Sequence, residues 1–469
     1  MTRQTALITI AVLLALRAIA GALLPLSADE AYYLLWSQHL QAGYYDHPPA
    51  IAWLIRAGTL LFGETPLGVR AAGLLLSVPA TWFVWNTASL VLRQDTRRDD
   101  HCDKAALAAV YFNLTLMAAV EMMAATPDMP SLVTVAVFVW AVAKAHATGD
   151  GRWWLAAGAA AGLSLLAKYS ALFAGLGVLV WLLLDARART WLRTIWPWAG
   201  GAVALLVFSP NLVWQSQHDW MTFGFQFGRI GGGSPTVRYI VEFVGAQLAL
   251  ASPFILALGV IGFWRAKKPG DDRFLLFAIL AVSLLYFAQH ALHDRVQGNW
   301  PAFLYPMLAI LAADATDTAR RWLVMAAAPV AALLLLAANM QAITGWPLKN
   351  DPSMRILAKD FPEAARSIAE ATDVVLTTDY QTTSLLRHYQ PHLTVIQVND
   401  PQRYLWARDA TPEQLRGQLV YFAEKRRVRT DLLQGRFQMM SGELEHGSTG
   451  TYVGYLLHGP KPGMTGKVP

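Results

Sequence analysis

Residues 27–65 read SADEAYYLLWSQHLQAGYYDHPPAIAWLIRAGTLLFGET. The stretch is too charged to cross a bilayer and too apolar for an ordinary surface loop. It lies between apolar runs near 5–26 and 66–92. Two amphipathic helices are predicted inside it, over 29–41 and 48–62. The first carries Ala31, Leu34, Leu35 and Leu40 with Tyr32, Tyr33 and Trp36. Helices of this kind lie in the membrane interface rather than across it. Ser27 or Asp29 can cap the first, and Pro48 and Pro49 suit the start of the second. Asp29, Glu30, Asp46 and His47 are concentrated in this one loop. Such a loop makes sense between two membrane spans, and the rest of the chain supports that reading.

Of 469 residues, 55% are hydrophobic and 15% charged, against roughly 25% charged in a soluble globular chain. Mean hydropathy is +0.34. The 18 Trp, 15 Tyr and 19 Phe suit a protein with two membrane interfaces. A soluble enzyme and a disordered chain are excluded. The single cysteine, Cys102, rules out an internal disulfide and a Cys-based zinc site. Met1–Gln4 precede an apolar run that continues through Leu23–Leu26, longer than a signal-peptide core, so a retained first helix is expected.

Candidate spans lie near 5–26, 66–92, 105–125, 130–147, 153–167, 169–184, 195–213, 238–263, 273–291, 300–314 and 322–340, about eleven by the length criterion. With the N-terminus cytoplasmic, the inner loops hold Arg93, Arg97, Arg98 and Lys104. They also hold Arg187, Arg189 and Arg193, then Arg265, Lys267, Lys268 and Arg273, then Arg320 and Arg321. The outer side has Arg56, Arg70, Lys168, Arg229, Arg238 and Arg295, scattered singly. That is a positive-inside bias. It accounts for most of the net charge of +6 and argues against nucleic acid as a partner.

An odd span count puts the C-terminus outside. From 345 the composition turns soluble, so the chain divides into a transmembrane domain, 1–344, and an outer domain, 345–469. Strands are expected at Asp373–Leu376, Leu393–Val398, Leu419–Phe422 and Tyr452–Leu457, and helices over 353–371 and 381–389. This reads as a small α/β domain with a loose tail after Gly459.

The loop also carries a resemblance. Asp29-Glu30-Ala31-Tyr32-Tyr33, followed by Gly43-Tyr44-Tyr45-Asp46-His47-Pro48-Pro49, resembles the first outer loop of bacterial GT-C glycosyltransferases. These are membrane enzymes related to protein O-mannosyltransferases, to the lipid A aminoarabinose transferase and to polyprenyl-phosphate-galacturonate transferases of lipopolysaccharide. The resemblance implies a multispan all-α GT-C fold with a small periplasmic α/β domain, in the bacterial inner membrane. It implies inverting transfer of a sugar from a polyprenyl-phosphate donor to a lipid or glycan acceptor, lipid A or lipopolysaccharide favoured. Asp29 is then the expected catalytic base, accepting a proton from the acceptor hydroxyl. Glu30, Tyr33, Tyr45, Asp46 and His47 are expected to shape the sugar and acceptor pocket. The pattern departs from the aminoarabinose transferases around Tyr44–Pro49, which leaves the sugar open.

A phosphate leaving group needs cationic stabilisation. Lys168, in Leu166-Ala167-Lys168-Tyr169-Ser170, either snorkels or meets that phosphate. Arg295, in His293-Asp294-Arg295-Val296-Gln297-Gly298-Asn299-Trp300-Pro301, either holds phosphate through its planar fork or pairs with Asp294. That hairpin resembles a pre-helix Asn-Trp-Pro loop of the same bacterial branch, so Asn299 joins the candidates. Asp128, in Thr126-Pro127-Asp128-Met129-Pro130, is an N-cap or the family's second cavity acid. Glu121 and Arg17 are ionisable groups inside spans and are function candidates by that fact. A divalent cation is a candidate cofactor, with Asp29, Asp128 and His47 as its candidate ligands. Gly231-Gly232-Gly233 lacks a phosphate-loop context and reads as a lid or an ordinary loop. The rival readings are a transporter or flippase of a lipid-linked sugar, a protein O-glycosyltransferase, and a non-catalytic assembly protein.

Overall fold

The computed structural model describes residues 1–92, 103–228, 234–346, 348, 357–415, 418–434, 436–446, 451–460 and 464–469. Arg93, Arg97, Arg98, Cys102, Arg229, Gly231, Gly232, Gly233 and the first part of the helix expected over 353–371 lie outside the described residues. The chain forms two compact units, Met1–Leu23 with Ala42–Thr344, and Leu24–Gln41 with Gly345–Pro469.

The first unit is helical. Six of its described helices are long and apolar enough to cross a membrane: Arg3–Leu23, Pro66–Val91, Asp128–Thr148, Trp196–Gln217, Phe274–Ala291 and Arg321–Thr344. Two bent pairs raise the number to eight. Tyr169–Leu184 meets Ala186–Arg193 at 96°, and Arg238–Ala251 meets Pro253–Arg265 at 106°. Eleven unbroken spans are thus not found among the described residues. The run near 105–125 is interrupted at Thr115, whose extended backbone ends one helix and whose hydroxyl caps the next through Ala118 N–H. The run near 238–263 breaks at Ser252, held at φ 69° before Pro253. Proline cannot donate to the preceding turn and disfavours helix at the residue before it. Trp153–Ala167, with 15 residues, is about 22 Å long at 1.5 Å per residue, short of a ~30 Å hydrocarbon core.

Small residues let these helices approach closely. A Cβ on Gly158 would sit 2.0 Å from Gly200 O, and one on Gly200 would sit 2.4 Å from Trp154 O. The helices Trp153–Ala167 and Trp196–Gln217 therefore meet backbone to backbone. Large apolar side chains such as Leu61, Leu206 and Leu285 are exposed, as a lipid-facing surface requires. Arg17 is buried. It donates to Ser77 Oγ (3.0 Å) and Asn113 Oδ1 (3.3 Å), and Asn113 donates to Thr81 Oγ1 (2.9 Å). Its partners are neutral, not the acid a buried cation suggests. Elsewhere in the unit Arg273 binds Asp314 at 2.6 Å, and Arg187 binds Asp272 at 3.4 Å.

The second unit is built on a seven-stranded sheet. Its strands are β1 Val374–Thr377, β2 Thr394–Gln397, β3 Arg408–Asp409, β4 Gln418–Glu424, β5 Phe437–His446, β6 Tyr452–Pro460 and β7 Lys467–Val468. Their order is β3-β7-β2-β1-β4-β6-β5. β1 runs parallel to β2 and β4, and the other pairs are antiparallel. Both faces of the centre are covered, so β1 and β2 read as continuous apolar runs rather than alternating ones. Val375 and Val395 join one core with Phe361, Ile368, Leu385 and Phe422. Leu376 and Ile396 join the other with Leu419, Tyr421 and Leu457. The tail expected to be loose supplies β7.

Ala31 belongs to the first of these cores. The helix around it, Ala28–Gln38, therefore groups with 345–469 and not with 1–344, where the sequence reading put it. Glu30 through Ser37 are all buried, so this helix does not lie on a lipid surface with one face exposed. Its neighbour in sequence, Ala50–Phe62, keeps the expected one-sided pattern, with Ile51 and Ile55 buried and Leu60 and Leu61 exposed.

Candidate functional site

The second unit holds Asp29. Ser27 caps the helix Ala28–Gln38 and Glu30 closes a capping box: Ser27 N–H donates to Glu30 Oε2 (2.9 Å), and Glu30 N–H donates to Ser27 Oγ (3.2 Å). Glu30, with 1% exposure, thus serves the helix start. Asp29 stands between these two, half-buried in the first turn, where the helix dipole favours a carboxylate. Tyr380 Oη donates to its Oδ1 at 2.9 Å, and Gln381 Nε2 donates to the same oxygen at 3.4 Å. Oδ2 has no hydrogen-bond partner among the described residues. Tyr380 stands at the start of the helix Tyr380–Tyr389, which Asp379 caps through Thr382 N–H. The guanidinium of Arg403 lies 4.5 Å from the Tyr380 ring centre, and Tyr32 packs on the same ring at 4.8 Å. Tyr33 is buried edge-on to Trp36 at 4.9 Å. Burial holds the Asp400 carboxyl above its usual range, with Arg403 acting against it.

The first unit holds the second cluster. Asp128 opens the helix Asp128–Thr148 and is 4% exposed. Lys168 sits at the break after Trp153–Ala167, with an extended backbone that turns its side chain away from that helix. Its Nζ donates to Asp128 Oδ1 at 2.6 Å, and Asn299 Nδ2 donates to Asp128 Oδ2 at 2.9 Å. Three residues from distant segments thus form one buried charge-assisted cluster. Arg295 is elsewhere: its side chain is 72% exposed and pairs with Glu242 at 3.3 Å, and Asp294 accepts only its backbone N–H. Glu242 also binds Arg238 at 2.9 Å.

The Tyr44–His47 turn is held by its backbone. Asn211 Nδ2 donates to Ala42 O (2.8 Å), Thr222 Oγ1 to Tyr44 O (2.7 Å) and Gln226 Nε2 to Asp46 O. His47 O accepts Tyr44 N–H at 3.1 Å. Gly43 lies under Trp214, where a Cβ would come within 2.5 Å of the ring. Tyr45 packs on Phe225 at 4.8 Å, and Asp46 is buried. Tyr169 and Gln215 complete the support, bonding Asn211 and Thr222. None of Asn211, Gln215, Thr222, Gln226, Tyr380 and Gln381 stands out in the sequence. Each is an ordinary polar residue whose partner is 40 or more positions away or lies on another element.

Among the described residues no group of three or more His, Cys, Asp or Glu side chains is placed to hold a metal ion. Both oxygens of Asp128 accept N–H donors, one from an ammonium, so a cation there would meet Lys168. The donors around Asp128 do not fit a metal.

Residues 46–214 match the sequence pattern of the dolichyl-phosphate-mannose-protein mannosyltransferase family. The chain is 30% identical over 293 residues to the lipid A galacturonosyltransferase RgtD of Rhizobium johnstonii, covering 61% of this chain and 59% of that protein. It is 25% identical over 296 residues to the undecaprenyl phosphate-alpha-4-amino-4-deoxy-L-arabinose arabinosyl transferase 1 of Sodalis glossinidius, covering 57% and 48%. The chain thus spans about half to three-fifths of the length of these curated relatives. Its fold matches that of ArnT from Cupriavidus metallidurans bound to undecaprenyl phosphate, with a TM-score of 0.64 at 16% identity over 98% of this chain and 100% of that one. The apo form of the same protein gives 0.59 at 17% identity over 97% and 99%. The resemblance read from the first outer loop is borne out: the chain is a membrane protein with the GT-C fold of ArnT, related in sequence to the dolichyl-phosphate-mannose-protein mannosyltransferase family and to the lipid A glycosyltransferases.

Proposed function

We propose that the chain is an inverting glycosyltransferase of the bacterial inner membrane, moving a sugar from a polyprenyl phosphate to lipid A or lipopolysaccharide at the periplasmic face. The observation that carries this reading is the carboxylate of Asp29, anchored through Oδ1 by Tyr380 and Gln381 with Oδ2 left for a substrate proton. Transport of a lipid-linked sugar needs no such group. In the reaction the acceptor oxygen attacks the anomeric carbon, Oδ2 of Asp29 takes the hydroxyl proton, and the anomeric carbon–oxygen bond breaks on the opposite side. The bonding electrons leave with the polyprenyl phosphate. The charge that develops there calls for a cation, and Lys168, whose ammonium Asp128 and Asn299 hold in place, remains the candidate. The activities for which the relatives are named, on lipid A and with undecaprenyl phosphate sugars, support the donor and acceptor classes.

The same reading puts the N-terminus in the cytoplasm and the unit containing 345–469 in the periplasm. Clustering of Arg187, Arg189, Arg265, Lys267, Lys268 and Arg273 in loops of one expected side supports it. Asp46, His47 and Tyr45 remain candidates for the sugar pocket, and Arg295 for the phosphate approach.

Detergent-purified protein, a panel of short-chain polyprenyl-phosphate sugars and lipid A give the test. Wild type is expected to release polyprenyl phosphate and glycosylate lipid A. Asp29→Asn is expected to lower turnover on the order of 10²–10⁴-fold while donor binding persists. Equal release by both proteins removes Asp29 as the base. Bound donor that crosses vesicle membranes without release makes the protein a transporter.

A further inference from the structure

We infer that the unit formed by Leu24–Gln41 and Gly345–Pro469 carries a binding pocket for the anionic group of a sugar, a phosphomonoester on a pyranose ring. The pocket has a volume of about 490 Å³, within the roughly 300–1,000 Å³ typical of small-molecule sites. His39, Arg387, His392, Trp406, Arg408 and the last residue, Pro469, line it, and among the described residues no acidic side chain does.

Three stretches of chain bring these groups together. His39 caps the C-terminus of Ala28–Gln38. Arg387 is in the last turn of Tyr380–Tyr389, His392 precedes β2, Trp406 precedes β3, and Arg408 opens β3. Arg387 Nη1 donates to Leu393 O at 3.2 Å, which fixes the plane of the guanidinium. Its Nε is buried and has no acceptor among the described residues. Holding the turn before β2 explains the first of these observations and not the second. A buried N–H without a partner costs about 1–3 kcal/mol, which an anion's oxygen would relieve. Asp409, next to Arg408, is engaged by Lys467 at 2.9 Å.

The charges repel one another across this space. Burial lowers the Arg387 pKa, and the charge of Arg408 lowers it further. Burial lowers the His39 pKa, and the charge of Arg387 adds to the effect. Two guanidiniums on one pocket wall suit the bidentate geometry of a phosphate. The rings of His39 and Trp406 lie nearly parallel, 22° apart at 5.7 Å, and Tyr404 meets Trp406 edge-on at 5.8 Å. This aromatic wall offers an apolar surface to a sugar ring, which inorganic phosphate lacks.

The test uses the full chain in detergent, titrated calorimetrically with glucosamine 1-phosphate, glucosamine, inorganic phosphate and phosphatidylglycerol vesicles. Glucosamine 1-phosphate is expected to bind at least about tenfold more tightly than glucosamine or inorganic phosphate. Arg387→Met is expected to weaken it by about tenfold or more, and Trp406→Ala to reduce it to the level of inorganic phosphate. Arg408→Ala alters an exposed side chain. It is expected to weaken binding with no change in the thermal unfolding midpoint, which separates loss of the site from loss of the fold. Sugar-phosphate binding indifferent to both arginine variants overturns the proposal. So does equal affinity for inorganic phosphate, or binding to the anionic vesicles alone. These readouts are independent of sugar transfer.

Discussion

Lys168 and Arg295 entered as candidates for the same task, and burial separates them. Asp128 and Lys168 have side chains 5% and 12% exposed at 2.6 Å. Arg295 and Glu242 are 72% and 33% exposed at 3.3 Å. Removing one partner of a buried pair leaves an uncompensated charge and costs about 3–5 kcal/mol. An exposed pair contributes about 0–1 kcal/mol. Asp128→Asn should therefore lower the thermal unfolding midpoint markedly, and Arg295→Gln should barely move it, when both are measured in one detergent. His39 yields a pH prediction. Its pKa in the folded chain lies below the ordinary value of 6.5 because of burial and Arg387, with His392 and Arg408 also on the pocket wall. The unfolded chain therefore binds the proton first. The stabilising contribution is complete above the ordinary value and is lost as pH falls toward the lowered one. Wild type should lose stability between pH 7 and pH 5 more steeply than His39→Gln, read from unfolding midpoints across that range. Such residue identities were legible in part. The loop motif exposed Asp29, but its anchors Tyr380 and Gln381 lie 351 and 352 positions away, beyond any local pattern.

At the scale of elements, hydropathy located the long helices because twenty apolar residues in a row leave a strong signal. It did not resolve where the chain breaks. Thr115 and Ser252 are small polar residues inside apolar runs, and only their backbone angles end the helices. β1, β2, β4 and β6 were legible as apolar, β-branched runs. β5 was not, since Ser441, Gly442, Glu443 and Glu445 interrupt it and its pairing with β6 shifts register after Met439. Helix contact is equally specific. Gly158→Ala places a Cβ against Gly200 O, whereas Gly175→Ala meets nothing within 4 Å. The first should destabilise by about 1–3 kcal/mol through forced separation of two helices. The second should be neutral or gain roughly 0.5–1 kcal/mol from helix propensity. Unfolding curves of the two variants side by side decide the matter.

At the scale of the whole molecule, the sequence showed a composition change near 345 but not that Leu24–Gln41 groups with the residues beyond that change. Ala31 is one small residue, and nothing adjacent marks Phe361, Leu385 and Val395 as its companions in a core. Deleting 345–469 should strip the helix Ala28–Gln38 of that core. Limited proteolysis of the truncated protein is expected to cut within 24–41, where the full chain resists. Resistance in both would show that the helix is held by other means.

The distance in sequence between Asp29 and Tyr380 also bears on the order of synthesis. A ribosome makes the acid more than three hundred residues before it makes the hydroxyl and amide that orient it. Until then the nascent chain has its proposed base but not the partners that aim it. Under the proposed function, a chain that stops short of Tyr380 has the acid without the side chains that aim it.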